Sequence, residues 1–452
     1  MNLQNVQRAY FLGIGGIGMS AIARYLKMQG AYVSGYDKTP SDLTDQLIAE
    51  GIAVHFNEEQ SNFDTEADLY IYTPAIPQDH PYFNLVPIQH QWHKRSEVLK
   101  WITDHTKTIA VSGTHGKTTT SAFLTHILYQ VHGQSSGFVG GVMSNYNSNL
   151  IAAPDSEYIV VEADEFDKSF LKLNPEIALI TSLDPDHLDI YGSFDAMKKD
   201  YQAFASLTKT LLVNKRLLDD FKEANHSYSA LSNSNNGYEG ANIRVVDSQF
   251  RFEVNHNGEH LGVFTSQLPG RHNVENAVAA ISIAHILGLS MEEVAKAVSS
   301  FKGVHRRFDR VLENAHVRLI DDYAHHPTEI KAAISAAKEL YPNTKITVIF
   351  QPHLYSRTRD LEDGFVESLS EADVVILLPI YPAREKPIDG VSSANLLKKL
   401  SLKTKQLVEK SHLGKAVLSL SPETVIVLGA GDIDRSVKPL AKLLENWKPD
   451  VE

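Results

Sequence analysis

The sequence predicts an α/β protein of three domains, each built on a largely parallel sheet with helices on its faces. Three observations carry this prediction. Short apolar runs alternate with longer amphipathic segments from one end to the other, the pattern of strand–helix–strand units. Two of the runs stop at glycine-rich turns that lead straight into a helix, at Gly13 and at Gly113. The chain has 452 residues, room for about three domains at roughly 150 residues each.

The first block, residues 1–105, reads as a Rossmann-like domain. In "RAYFLGIGGIGMSAIARYLKMQGAYVSGYD" an apolar strand (Ala9–Leu12) runs into glycines, then an amphipathic helix, then a second strand ending at Asp37. "ADLYIYTPAI" supplies a further strand. Gly13, Gly15 and Gly18 fit G-x-G-x-x-G between strand and helix, and Asp37 stands where a dinucleotide fold keeps its ribose-binding acid. The loop Gly13, Ile14, Gly15, Gly16, Ile17 and Gly18 is suited to a diphosphate, held by backbone N–H groups and the helix dipole. That physics does not separate NAD from any other nucleotide diphosphate. The plainer alternative is that the glycines serve only strand–helix packing.

The second block, residues 106–311, reads as a P-loop domain with a mostly parallel sheet. The strand "KTIAVSG" leads into "VSGTHGKTTT", a G-x-x-G-K-T that is shorter than the common G-x-x-x-x-G-K-[ST]. Phe123, Leu124, Ile127, Leu128 and Val131 follow at helical spacing. Buried strand, glycines, lysine and hydroxyls opening a helix together make a phosphate cradle. "YIVVEADE" and "EIALITSLD" are expected as neighbouring strands beside the loop. The first ends at Glu162, Asp164 and Glu165, and the second leads to Asp184, Asp186, His187 and Asp189. Acids at the end of an apolar strand are costly unless paired or metal-bound. A phosphate loop needs an acid to help hold magnesium. Zinc is the rival for His and Asp, but a neighbouring phosphate loop favours magnesium on carboxylate and phosphate oxygens. "SALSNSNNGYEGAN" reads as a surface loop, and the helix "HNVENAVAAISIAHILG" should stop at Gly288.

The third block, residues 312–452, again reads as Rossmann-like. "VRLIDDY", "KITVIFQPH", "DVVILLPIY" and "ETVIVLGAG" alternate with helices, and Pro327 sits where a helix would begin, a favoured place for proline. Arg306 and Arg307 precede this block, and Arg357 and Arg359 lie within it. Arg357 follows a strand end, the side of a doubly wound sheet where ligands bind.

Composition narrows the function. With 43% hydrophobic and 22% charged residues the chain reads as an ordinary globular protein. A net charge of −12 without basic runs argues against nucleic acid or an anionic membrane as partner. The chain contains no cysteine, so thiol nucleophiles and thiolate metal sites are out. No signal peptide or membrane span is visible, and a cytoplasmic location is expected.

The motifs "GIGGIGM", "GTHGKTTT", "EADEFDKSFL", "DPDHLDIYG", "PGRHNVENA", "HRRFD", "DDYAHHPTE", "QPHLYSRT" and "GAGDI" follow one another in the order seen in Mur ligases. The resemblance covers nearly the whole chain. "HHPTE" and "QPHLYSRT" are its most specific parts, because they distinguish one member of the family from its sisters. The resemblance implies ATP-driven joining of a carboxylate to an amine in peptidoglycan precursor synthesis, with UDP-N-acetylmuramate and L-alanine as substrates. It puts the UDP on Gly13 to Gly18 and ATP on Gly113, Thr114, His115, Gly116, Lys117, Thr118 and Thr119. It makes Lys117 and Arg307 cations for the phosphates and sets His272 and Asn276 near the adenine and Asp322 near the ribose. Thr118, Glu162 and His187 become magnesium ligands. His325 orients or deprotonates the amine, and Arg357 clamps the amino-acid carboxylate. Leu354 stands where many members carry arginine, which leaves Arg357 as the matched clamp. No lysine stands near Tyr201 and Gln202, so the carbamylated lysine of several sisters is not expected. A monomer or weak homodimer is expected. The competing readings are a dinucleotide-dependent oxidoreductase, a regulatory P-loop switch, and a sister ligase that adds a recycled tripeptide to the same sugar nucleotide.

Overall fold

The structure is a computed structural model that describes residues 3–166, 168–185, 188–230, 236–383 and 385–448. By internal contacts the chain divides into two units. One comprises Met1–Ala241, Val254–Gly262 and Glu275–Val298, and the other Asn242–Glu253, Val263–Val274 and Ser299–Glu452. The strands form three sheets.

In the first unit, five parallel strands make the N-terminal sheet: β1 (Arg8–Leu12), β2 (Tyr32–Tyr36), β3 (Ala53–His55), β4 (Leu69–Tyr72) and β5 (Trp92–Lys94), in the order β3-β2-β1-β4-β5. This is the doubly wound order that puts a ligand crevice at the carboxyl end of β1. The helices α1 (Ile17–Met28), α2 (Asp42–Ala49) and α3 (Arg95–Thr103) contribute to one core cluster through Ile22, Leu26, Leu47, Val98 and Ile102. Tyr10, Tyr36, Phe63, Tyr70 and Tyr82 form a separate aromatic cluster.

The central sheet continues the same unit with β6 (Lys107–Ser112), α4 (Lys117–Val131), β7 (Ser135–Met143), β8 (Ser148–Ile151), β9 (Tyr158–Glu162), β10 (Ile177–Ile180), α5 (Leu188–Tyr191), α6 (Phe194–Ala205), β11 (Thr210–Asn214) and β12 (His226–Ser229). Its order runs β8-β7-β9-β6-β10-β11-β12 and on through β13 (Tyr238–Val246), β14 (Gln249–His256) and β15 (Glu259–Ser266), where the division between the units falls. β6, β7, β9, β10, β11 and β12 pair in parallel, and β8 turns back antiparallel on β7. Two expectations need correction. β9 and β10 are not neighbours, because β6 lies between them. The segment expected as a surface loop becomes strand from Tyr238, with Tyr238 and Glu239 buried. The strand is masked because polar residues precede it and only Tyr238, Glu239 and Gly240 of it are buried. α7 (Arg271–Ile286) and α8 (Met291–Ser300) follow, and Gly288 takes φ 75° just past α7, as its place beyond the last helical turn requires.

The second unit carries the third sheet: β16 (Asp309–Glu313), β17 (Arg318–Asp322), α9 (Pro327–Leu340), β18 (Ile346–Phe350), α10 (Tyr355–Asp360), β19 (Val374–Leu377), β20 (Thr404–Leu407) and β21 (Thr424–Leu428). The order is β16-β17-β21-β18-β19-β20, parallel except for the β16 edge. Pro327 is the first helical residue of α9, and His326 and Glu329 close a capping box around it. No described helix is long and apolar enough to cross a membrane.

His126 shows how tightly the central layer is built. Its Nε2 donates to the Ala297 carbonyl at 3.1 Å and its Nδ1 faces the Tyr146 hydroxyl at 2.6 Å, a neutral ring with both nitrogens used. Burial pushes its pKa down to about 4. The unfolded chain takes up a proton near pH 6.5 that the fold refuses until about 4, so stability is lost as pH falls through that window. Melting should therefore drop between pH 7.5 and 5, and drop less in His126→Gln, whose amide keeps a donor and an acceptor without titrating. Equal drops in the two proteins would contradict this.

Candidate active site

β6 ends at Ser112 and the chain turns through Gly113–Gly116 into α4. Gly116 has φ 82°, and a Cβ there would stand 2.7 Å from Asn276 Oδ1 on α7, so only glycine closes this turn. The same Asn276 oxygen accepts from Thr120 at 3.1 Å. The predicted adenine-side residue is therefore tied to the first turn of α4. The residues after β10 hold the other side. Ser182 Oγ accepts from the His115 N–H at 2.7 Å and meets Thr114 Oγ1 at 2.9 Å, while Thr181 Oγ1 donates to the His115 carbonyl at 2.5 Å. His115 Nε2 lies 3.4 Å from Asp184 Oδ2. Thr119 is buried in the first turn of α4.

Lys117 donates to the Gly113 carbonyl at 2.5 Å and to Glu165 Oε1 at 2.9 Å. Burial alone would lower the ammonium, but Glu165, Asp164 and Glu162 outweigh it and hold the pKa above the usual lysine value. Lys117 is thus a fixed, fully charged cation at the head of α4. Glu165 is 1% exposed, and its Oε2 has no partner among the described residues. The sequence marks Glu165 as one of several strand-end acids, but only the structure makes it the lysine's counter-ion.

Thr118 Oγ1 donates to Glu162 Oε1 at 3.1 Å, and Glu162 Oε2 accepts from the Gly140 N–H at 3.0 Å. A hydroxyl and a carboxylate oxygen side by side beside the phosphate loop form a donor set that suits magnesium, which takes few protein ligands and fills its shell with phosphate and water. His187 and Asp186 lie outside the described residues. Among the described residues no group of three or more His, Cys, Asp or Glu side chains is arranged to hold a metal by itself.

At the first loop, Asp37 Oδ2 accepts from the Gly15 N–H at 2.8 Å, so the carboxylate braces the loop itself. A residue missed in the sequence joins it here. Arg95, the first residue of α3, lays its guanidinium across the first turn of α1, where a Cβ on Gly18 would meet Nη1 at 2.5 Å. It makes no ion pair with any described residue. Its signal was its position just past β5, at the carboxyl edge of the sheet.

In the second unit, the ends of β17 and β18 bear the predicted groups. Asp322 accepts from the Phe308 N–H at 2.8 Å and the Ala324 N–H at 2.7 Å. Burial raises its pKa to about 6 against the pull of Arg307. The Arg307 guanidinium lies 5.2 Å from the Tyr323 ring centre, with Arg306 at 4.9 Å. His325 Nδ1 donates to the Tyr323 carbonyl at 3.0 Å and lies 3.4 Å from Glu329 Oε2; a ring held this way carries its lone pair on Nε2 when it is neutral. Glu329 accepts from the His325 N–H at 3.1 Å. The His353 ring lies 6.5 Å from that of His325 and stacks on Tyr381. Burial, then the Arg357 cation, pushes the His353 pKa down to about 4, so a neutral imidazole stands by the arginine. Its Nδ1 has no partner among the described residues. Leu354 takes φ 69°, a strained conformation for leucine, in the turn that delivers Arg357 on α10. Glu385 fixes that turn by accepting from Ser356 N at 3.0 Å and from its hydroxyl. His272, in the same unit, is held neutral by burial, its pKa pushed down to about 4.

Two glycine turns from strand to helix on separate parallel sheets, one with a bound lysine, hydroxyl and acid at its helix, define an α/β protein whose central domain is of the nucleotide-binding P-loop class. Three family profiles match in chain order: the Mur ligase family catalytic domain over residues 8–107, the Mur ligase middle domain over 111–284, and the Mur ligase glutamate ligase domain over 306–431. The chain belongs to the Mur ligase family. It is similar to the UDP-N-acetylmuramate–L-alanine ligase of Flavobacterium johnsoniae, 45% identical over 98% of this chain and 99% of the relative. The protein of the same name from Porphyromonas gingivalis is 45% identical over 97% and 99%. Among solved structures, the UDP-N-acetylmuramate–alanine ligase of Thermotoga maritima superposes with a TM-score of 0.83 at 28% identity, covering 98% of this chain and all of that one.

Proposed function

We propose that this chain joins L-alanine to the lactyl carboxylate of UDP-N-acetylmuramate, driven by ATP, in peptidoglycan precursor synthesis in the cytoplasm. The observation that carries the reading is the Lys117–Thr118–Glu162 cluster at the head of α4, hydrogen-bonded in place in a chain with a second anion loop on another sheet. Residues 1–105 hold the UDP, 106–311 the ATP, and 312–452 the amino acid. Gly13, Ile14, Gly15, Gly16, Ile17 and Gly18 take the diphosphate on their N–H groups, and Arg95 adds a guanidinium to that edge.

A lactyl oxygen attacks the γ-phosphorus and the bond to ADP breaks, giving an acyl phosphate. The alanine amine attacks the acyl carbon, the acyl C–O bond breaks, and phosphate leaves with that oxygen. The two reactants of the first step are both anions, so Lys117 and Arg307 offset their repulsion. Thr118, Glu162 and His187 would hold magnesium, which would supply positive charge to offset that of the phosphates. His272 and Asn276 border the adenine and Asp322 the ribose. His325 holds the amine's proton on Nε2, because ammonium cannot attack. Arg357 grips the amino-acid carboxylate.

Phosphate release tests the reading. We expect it only with ATP, UDP-N-acetylmuramate, L-alanine and magnesium together, and not after EDTA. Calorimetry should detect UDP-N-acetylmuramate and neither NAD nor NADP. Preference for a murein tripeptide over L-alanine would transfer the chain to the sister activity, and dinucleotide binding without UDP-sugar binding would overturn the reading.

A further inference from the structure

The helix that carries the first glycine loop is gripped from the central sheet by a buried amide. Asn149, on β8, is fully buried. Its Nδ2 donates to the Ile17 carbonyl at 2.5 Å and to Ser20 Oγ at 3.0 Å, both in the first turn of α1. Its Oδ1 accepts from Arg24 Nη1, one turn further along. The Arg24 guanidinium is itself anchored, with Nε 2.8 Å and Nη2 2.7 Å from the Glu50 carboxylate at the end of α2. Beside it, Gln46 of α2 donates to Asn147 Oδ1 at 3.2 Å in the β7–β8 turn. One end of the β7–β8 hairpin therefore holds both helices that frame the glycine loop.

The other part of the same hairpin reaches the phosphate loop. Gly140 of β7 donates to Glu162, which in turn accepts from Thr118. A Cβ on Gly140 would fall 2.2 Å from Glu162 Oε2, so backbone and carboxylate are in direct contact. β7 pairs along β9 from Ser135 to Phe138, which makes the hairpin part of the sheet and not a free arm.

We propose that Asn149 is a positioning residue for phosphoryl transfer: it sets the distance between the sugar-nucleotide loop on α1 and the ATP loop on α4. The inference rests on the functional reading above. The diphosphate end of one substrate is fixed to α1, and its carboxylate must come within about 3–3.5 Å of the γ-phosphorus, aligned for attack. Asn149 lies on β8, outside both glycine loops, so on this reading it is no part of either ligand's binding set. Loosening the strut between them costs reaction geometry and spares both binding steps. A misplacement of about 1 Å is enough to lose on the order of 100-fold in rate.

The test is Asn149→Ala in the full chain, with kcat measured per folded molecule and separate dissociation constants for UDP-N-acetylmuramate and a non-hydrolysable ATP analogue. We expect kcat to fall at least tenfold while both constants stay within threefold of the parent. An unchanged kcat, or a weakening of either ligand that accounts for the loss, overturns the positioning role. If Asn149→Ala does not fold, Ser20→Ala removes one acceptor of the same amide and should show a smaller fall in kcat with both constants kept; no fall counts against the proposal. Should the parent chain itself show no ligation, the functional reading fails, and that result is distinct from either outcome for the variants.

Discussion

Lys117→Ala should abolish ligation, with a loss of at least about 100-fold in kcat, because it removes a preorganised cation from the place where charge moves, of order 3 kcal/mol. The sequence alone suggests that the fold would be untouched. The structure changes this part of the expectation. Glu165 is 1% exposed and Lys117 is its counter-ion at 2.9 Å. Removing one partner of a buried pair costs about 3–5 kcal/mol, since the remaining charge stays desolvated. The single variant should therefore melt well below the parent. Lys117→Ala combined with Glu165→Gln should recover much of that stability and none of the activity. Thermal melting and phosphate release on the three proteins separate the two effects. Substantial turnover in the double variant would remove Lys117 from the mechanism, and a parental melting point in Lys117→Ala would show that Glu165 does not depend on it.

What the sequence reveals of this site follows from how local each interaction is. The glycine turns, the lysine and the start of α9 at Pro327 are written within a few residues, so they are legible without tertiary structure. Glu162 is legible as an acid closing an apolar strand, but its neighbours are not. Gly140 lies 22 positions away, and β6 separates β9 from β10 because strand order in a parallel sheet is set by crossovers. The Asn257–Gly258 pair between β14 and β15 is a short-range turn signal of the kind that marks hairpins. The polar run before Tyr238 masks the strand that precedes them. Arg95 is marked only by its place just past β5, and Asn149 is out of reach of sequence patterns altogether. Asn149 meets Ile17 and Arg24 across 132 and 125 positions, and an asparagine in a short strand carries no mark of such a partner.

Arg357 and His325 should act on the amino acid and leave ATP alone. The two stand after β18 and before α9, at the carboxyl ends of strands that both flank β21. Near both stands His353, its ring 6.5 Å from that of His325, neutral because burial and Arg357 both oppose its protonation. With that ring uncharged, the guanidinium is the cation a carboxylate would meet there, and it grips one through two parallel hydrogen bonds that lysine cannot copy. Arg357→Lys should raise the KM for L-alanine at least tenfold with the KM for ATP unchanged. Leu354 offers no second guanidinium, so weak use of glycine or L-serine is expected from the parent chain. His325→Ala should act on the other parameter. Its Nδ1 is committed to the Tyr323 carbonyl, so the ring presents Nε2 in a fixed tautomer, and general-base assistance of this kind contributes about 10²–10⁴-fold. We expect kcat to fall within that range and the KM for L-alanine to change little, because the carboxylate clamp is intact. A raised KM for ATP in Arg357→Lys, or a His325→Ala protein that loses L-alanine affinity and keeps its kcat, would move the amino-acid site away from the ends of β17 and β18.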